Sequence, residues 1–103
     1  MVTWFSIPML GIALISLPAL ASKELAQKNA CLACHGVDKK IVGPAYLDIA
    51  KKYAGQKDAA VNLAKSIKAG GSGKWGPVPM PSQPSVSDAD ATALATWILA
   101  GAK

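Results

Sequence analysis

The sequence predicts an all-α fold, one small domain of about four short helices. Three observations carry this. Apolar residues recur at helical spacing in segments separated by Gly and Pro, and no segment alternates in the manner of a strand. The first 21 residues are an uncharged apolar run, and without them 82 of the 103 residues remain, few enough that a single core needs a staple. Two cysteines exclude a disulfide framework, and past the apolar run only Tyr46, Tyr53, Trp75 and Trp97 are aromatic, so something else is expected to fill the middle.

The opening run ends in Ala19-Leu20-Ala21, a small-x-small site of the kind signal peptidase cuts. Residues 1–21 are therefore expected to be a cleaved signal peptide, with the working domain at 22–103 outside the cytoplasm. An uncleaved anchor is the alternative, because no Lys or Arg precedes the apolar run, but Pro8, Gly11 and Pro18 interrupt it as a membrane span. The first helix is expected over residues 23–33, with Leu25, Ala26, Asn29 and Leu32 on adjacent faces. Pro44 opens a second over 45–53, where Tyr46, Ile49, Ala50 and Tyr53 recur and Gly55 stops the run. Asp58 is placed to cap a third over 59–69, striped by Ala60, Leu63, Ala64 and Ile67 and ended by Gly70. Ser87 is placed to cap the last at Asp90, whose carboxylate can reach back, and Leu94, Trp97 and Ile98 form its apolar face. Between the third and last helices, GGSGKWGPVPMPSQPS admits neither helix nor central strand, and so long an irregular stretch in a small domain calls for a functional explanation.

All eleven basic residues are lysines and follow the leader, against six acidic residues in the chain, which gives a net charge of +5. That balance favours acidic partners. It argues against nucleic acid, because the chain has no arginine for base or phosphate recognition and no lysine block interleaved with aromatics. The Gly-rich GGSG fails as a phosphate loop, since Lys74 is followed by Trp75 rather than Ser or Thr.

The chemistry concentrates in Cys31-Leu32-Ala33-Cys34-His35-Gly36, the spacing of covalent haem attachment. On a helix, positions i, i+3 and i+4 place both sulfurs and the imidazole on one face. Each thiol can then add to a haem vinyl group while the imidazole reaches the iron. Rival readings are a thioredoxin-like pair, which wants a preceding strand, structural zinc, which wants a fourth ligand, and a plain Cys31–Cys34 disulfide. A six-coordinate iron needs a second axial ligand. His35 is the only histidine, and Met80 the only methionine once Met1 and Met9 leave with the leader. Met80 lies in Pro77-Val78-Pro79-Met80-Pro81, a rigid loop with no helical stripe that a core-filling methionine would join. His/Met ligation raises the potential of electron carriers. A lysine such as Lys74, or an open sixth position, are the competitors.

With CLACHG at 31–36, IVGPAY at 41–46, GKWGPVPMP at 73–81 and a capped final helix containing Trp97, the chain resembles the short class I monohaem cytochromes c of the bacterial periplasm. The likeness spans residues 22–103. It implies four short helices wrapped around one haem c bonded through Cys31 and Cys34, with iron held by His35 and Met80. It implies that the Pro44 carbonyl orients His35 and that the Trp75 indole N–H points to a haem propionate. Gln83 is near where relatives place an amide that tunes the methionine sulfur, with the register disturbed by an extra residue. Where several relatives have an arginine beside a propionate this chain has Ser66, leaving Lys65 or Lys68 as candidates for that role. Tyr53, Leu25, Leu32, Ile49, Leu63, Leu94, Trp97 and Ile98 are expected to be core.

The function this implies is a periplasmic, monomeric, non-enzymatic carrier moving single electrons from a quinol-cytochrome c reductase type of donor to a terminal oxidase or nitrite reductase. Lysines including Lys28, Lys39, Lys40 and Lys74 would steer docking at the haem edge. No stable membrane insertion is expected after cleavage. The alternatives are a haem enzyme or gas sensor with a labile Met80 bond, and a dedicated cytochrome subunit of one redox complex.

Overall fold

A computed structural model describes residues 18–103, so the predicted leader falls almost wholly outside the described residues. Four helices follow one another, α1 (Pro18–Lys28), α2 (Tyr46–Tyr53), α3 (Ala59–Ala69) and α4 (Asp88–Leu99), and no strand occurs among the described residues. None of these helices is long and apolar enough to cross a membrane.

α4 is the spine, packing against α1, α2 and α3. Its Ala91, Leu94, Ala95, Trp97 and Ile98 are buried, and Ser87 caps it by accepting the Asp90 amide at 3.1 Å. The Asp90 carboxylate makes no return bond; Asp88 instead pairs with Lys68 of α3. Fully buried Ala26 on α1 and Ala91 and Ala95 on α4 present almost no side chain, which permits close approach of the two helices. The buried Ser22 hydroxyl adds a bond to the Ala93 carbonyl at 3.2 Å. α2 contributes buried Tyr46, Ile49 and Tyr53, and α3 contributes Leu63, Ala64 and Ile67. Leu25 and Leu32, expected in the core, are only partly buried at its edge.

Two expectations are corrected. The first helix does not run through the CxxCH segment. It stops at Lys28, the Asn29 amide and side chain both bond to the Leu25 carbonyl (3.1 and 2.9 Å), and Ala30 turns left-handed at φ 61°. The chain then restarts as a 3-10 turn at Cys31–Ala33. Asp58 sits at the cap position of α3, but its side chain makes no capping bond.

Candidate functional site

The 3-10 turn keeps the sulfurs and the imidazole together despite the break in the helix. The amides of Cys34 and His35 both donate to the Cys31 carbonyl, at 3.1 and 3.0 Å, so one turn of chain separates Cys31 from His35. The following loop closes back on that turn, with the Cys34 carbonyl accepting from Val42 at 3.1 Å and Gly43 at 2.8 Å. This brings Pro44 to His35, whose Nδ1 lies 2.8 Å from the Pro44 carbonyl. A carbonyl can only accept, so Nδ1 carries the proton and donates, and Nε2 keeps its lone pair for a metal. Gly43 is required beside it, since a Cβ there would stand 2.5 Å from the His35 ring. Tyr46 stacks on that ring with centroids 5.3 Å apart and planes at 18°. No signal in the residues pointed to this contact, because Tyr46 also fits the apolar stripe of α2.

Cys31 and Cys34 are free and half-buried. Burial pushes the Cys31 thiol up, above the ordinary thiol value. Among the described residues no strand precedes the pair, and none of them form a group of three or more His, Cys, Asp or Glu able to hold a metal. The thioredoxin-like and zinc readings therefore lack their required settings.

Met80 is half-buried in the loop between α3 and α4. Its amide and carbonyl exchange bonds with Gly71 at 2.8 and 2.9 Å, and Gly73 donates to Gly76 at 2.8 Å. Gly70, at φ 68°, turns the chain out of α3 against the Met80 carbonyl, where a Cβ would collide. Gln83 lies outside the cavity. Its amide nitrogen turns to the Pro81 carbonyl at 3.3 Å.

Cys31, Cys34, His35 and Met80 all line one cavity of about 270 Å³, walled by apolar side chains including Ile49, Leu63, Ile67, Leu94 and Ile98. Pro44, Tyr46, Tyr53, Ser66 and Trp75 also border it. Trp75 is 40 % exposed, with the Lys52 ammonium 5.0 Å from its ring centre. The buried indole whose N–H lacks a partner is that of Trp97. Lys74 Nζ donates to the Tyr53 hydroxyl at 2.9 Å and lies 5.1 Å from the ring centre. Burial works to raise the Tyr53 hydroxyl, but bonding to Lys74 and then Ser66, with the charges of Lys74 and Lys52, brings it below the ordinary phenol value. Lys65 and Lys68, the lysines suggested for the propionates, border a separate groove with Asp88, and Lys68 is paired there.

The donor set fits a c-type haem. Two unbridged thiols, an imidazole oriented by a carbonyl and a thioether border the same apolar space. Comparison with known proteins agrees. A family model described as cytochrome c matches residues 19–102. The chain is 60 % identical over 81 residues to cytochrome c-552 of Nitrosomonas europaea, covering 79 % of each chain. It is 54 % identical over 90 residues to cytochrome c-552 of Hydrogenobacter thermophilus, covering 85 % of this chain and 91 % of that one. The crystal structure of wild-type Nitrosomonas europaea cytochrome c552 superposes with a TM-score of 0.74, over 76 % of this chain and 96 % of that one.

Proposed function

Because the chain belongs to the cytochrome c family and has haem c as its cofactor, we propose that it shuttles single electrons between periplasmic redox complexes, with His35 and Met80 as the two residues that would hold the iron. The observation that supports this most is the convergence of the sole histidine, the sole methionine after the leader and both cysteines on one cavity, with His35 Nδ1 already engaged by Pro44. When bound, the haem supplies a one-electron Fe(III)/Fe(II) couple, and His/Met ligation raises its potential.

The residues divide the work. Cys31 and Cys34 hold the group covalently, so it survives exchange between partners. The Pro44 carbonyl fixes the tautomer and orientation of His35 and increases the basicity of Nε2. Met80, held by Gly71 and flanked by prolines, would offer its thioether to the iron and so keep small molecules out. No substrate bond is made or broken. Trp75 offers an indole N–H at the cavity edge for a propionate. Leader cleavage before Ser22 would release the domain into the periplasm as a monomer. Lys28, Lys39 and Lys40, all exposed, and Lys74 would steer it to acidic faces of a quinol-cytochrome c reductase, a terminal oxidase or a nitrite reductase, with salt-sensitive rates.

The ferric spectrum tests the ligand pair. The parent protein should show a Met-to-iron charge-transfer band that resists brief exposure to cyanide, and Met80→Ala should lose the band and bind cyanide rapidly. A parent without the band, binding cyanide at once, would favour a haem enzyme or gas sensor instead.

A further inference from the structure

A haem brings two carboxylates with it, and where these leave an apolar cavity each needs water, a donor or a cation. The chain has no arginine, and of its eleven lysines Lys74 alone borders the cavity. Lys74 is exposed, but its ammonium is held in place by a bond to the hydroxyl of the buried Tyr53. The two lysine-aromatic contacts interlock. Lys52 and Tyr53 are consecutive at the end of α2, Lys74 and Trp75 are consecutive in the loop, and each lysine lies over the aromatic ring of the other segment. The arrangement ties the loop to α2 and holds an ammonium at the cavity edge.

We infer that Lys74, anchored by Tyr53, is the positioning cation for the carboxylate end of the haem and raises the reduction potential of the iron. It acts through a propionate and does not touch the metal. A fixed positive charge there offsets carboxylate charge that would otherwise stabilise the ferric state, so its loss favours Fe(III). The inference rests on the cavity being the haem site, a reading tested separately by the ferric band of the parent chain.

The experiment is spectroelectrochemical titration of the haem-loaded protein against a redox buffer at about pH 8, where an exposed carboxylate stays ionised. Lys74→Gln should shift the Fe(III)/Fe(II) ratio toward ferric by roughly three- to tenfold, where tenfold corresponds to 59 mV for one electron. Lys74→Arg should restore most of the parent ratio. Tyr53→Phe, which keeps the charge and removes its anchor, should fall between them. Lys52→Gln removes an equal charge from a side chain that does not border the cavity and should shift the ratio less than Lys74→Gln. Equal shifts for Lys74→Gln and Lys52→Gln would overturn the inference, as would a Lys74→Gln protein that melts earlier but keeps the parent potential.

Discussion

Residues 31–45, which carry the cysteines and His35, are tied by backbone bonds. Cys34 accepts from Val42 and Gly43, and the Gly36 and Val37 carbonyls receive the amides of Tyr46 and Leu47 at 2.9 and 3.0 Å. Residues 70–83, which carry Met80, have the Gly71–Met80 pair, the Gly73–Gly76 turn and one bond from Gln83 to the Lys68 carbonyl at 2.8 Å. Gly70 also donates to the Ser66 carbonyl at 2.8 Å and Val86 to the Gln83 carbonyl at 3.1 Å, both at the ends of the segment, while its middle is tied to α2 by side-chain contacts through Lys74 and Trp75. The His35 segment is thus shaped by the main chain and joined directly to α2, whereas the Met80 segment is shaped by proline, glycine and two lysine-aromatic contacts. Segments with fewer buried backbone bonds open at lower free energy. If His35 and Met80 hold the iron as proposed, the methionine side is expected to open before the histidine side.

Substitution at the two tight glycines separates the segments. Gly43→Ala should have the largest effect, because the new methyl meets the His35 ring and the loop around it is held on both sides. We expect a loss at the upper end of about 1–3 kcal/mol, measured by denaturant unfolding of the haem-loaded protein. Gly70→Ala forces an alanine to φ 68° against the Met80 carbonyl. At ψ −161° this is a backbone conformation open essentially to glycine only, which alone costs about 1–3 kcal/mol for another residue. Its signature should be a weakened Met-to-iron band with covalent haem and the histidine ligand retained. If Gly70→Ala perturbed the histidine side as much as Gly43→Ala, the contrast between the segments would be wrong.

A smaller change should go the other way. Ala30 sits at φ 61° between α1 and the 3-10 turn, so Ala30→Gly should stabilise by about 0.5–1 kcal/mol, visible as a raised unfolding midpoint. Smallest is the pairing of Lys68 with Asp88, in a groove separate from the cavity and on an exposed carboxylate. The hydrogen bond from Lys68, then its charge, holds Asp88 below the ordinary carboxylate value. A depressed pKa gives stability that is present above the unfolded value and lost as pH falls through the folded one. Asp88→Asn should therefore melt slightly earlier than the parent at neutral pH and converge with it in acid, and high salt should erase the difference.

The same contrast governs what could be read from the residues. α3 and the cap of α4 follow from apolar spacing, Ser87 and Gly70, because local signals and tertiary packing agree there. His35 and Met80 were visible through their uniqueness, and Pro44 through the resemblance that its Gly-Pro pair carries. The end of α1 was not visible. Leu32 continues the apolar period, and the left-handed break falls on an alanine with no glycine or proline to announce it. Lys74 is among the lysines expected at the haem edge, but its anchoring by Tyr53 is not legible in the residues. Its position depends on positive φ angles at Gly70, Gly71, Gly73 and Gly76, which a string of glycines permits but does not dictate. Read from sequence, one lysine in a loop resembles another, and the loop path decided that Lys74 rather than Lys65 or Lys68 reaches the cavity.

The central claim is that the space bordered by Cys31, Cys34, His35 and Met80 holds a haem bonded to the polypeptide. The most direct test is the mass of the chain purified from an exporting, haem-maturing host after extraction with acidified acetone. One haem should be added to each mature chain and retained through extraction, and it should be absent when Cys31 and Cys34 are both changed to serine. A parent chain that gives up its pigment to the solvent, or matures without one, would contradict it.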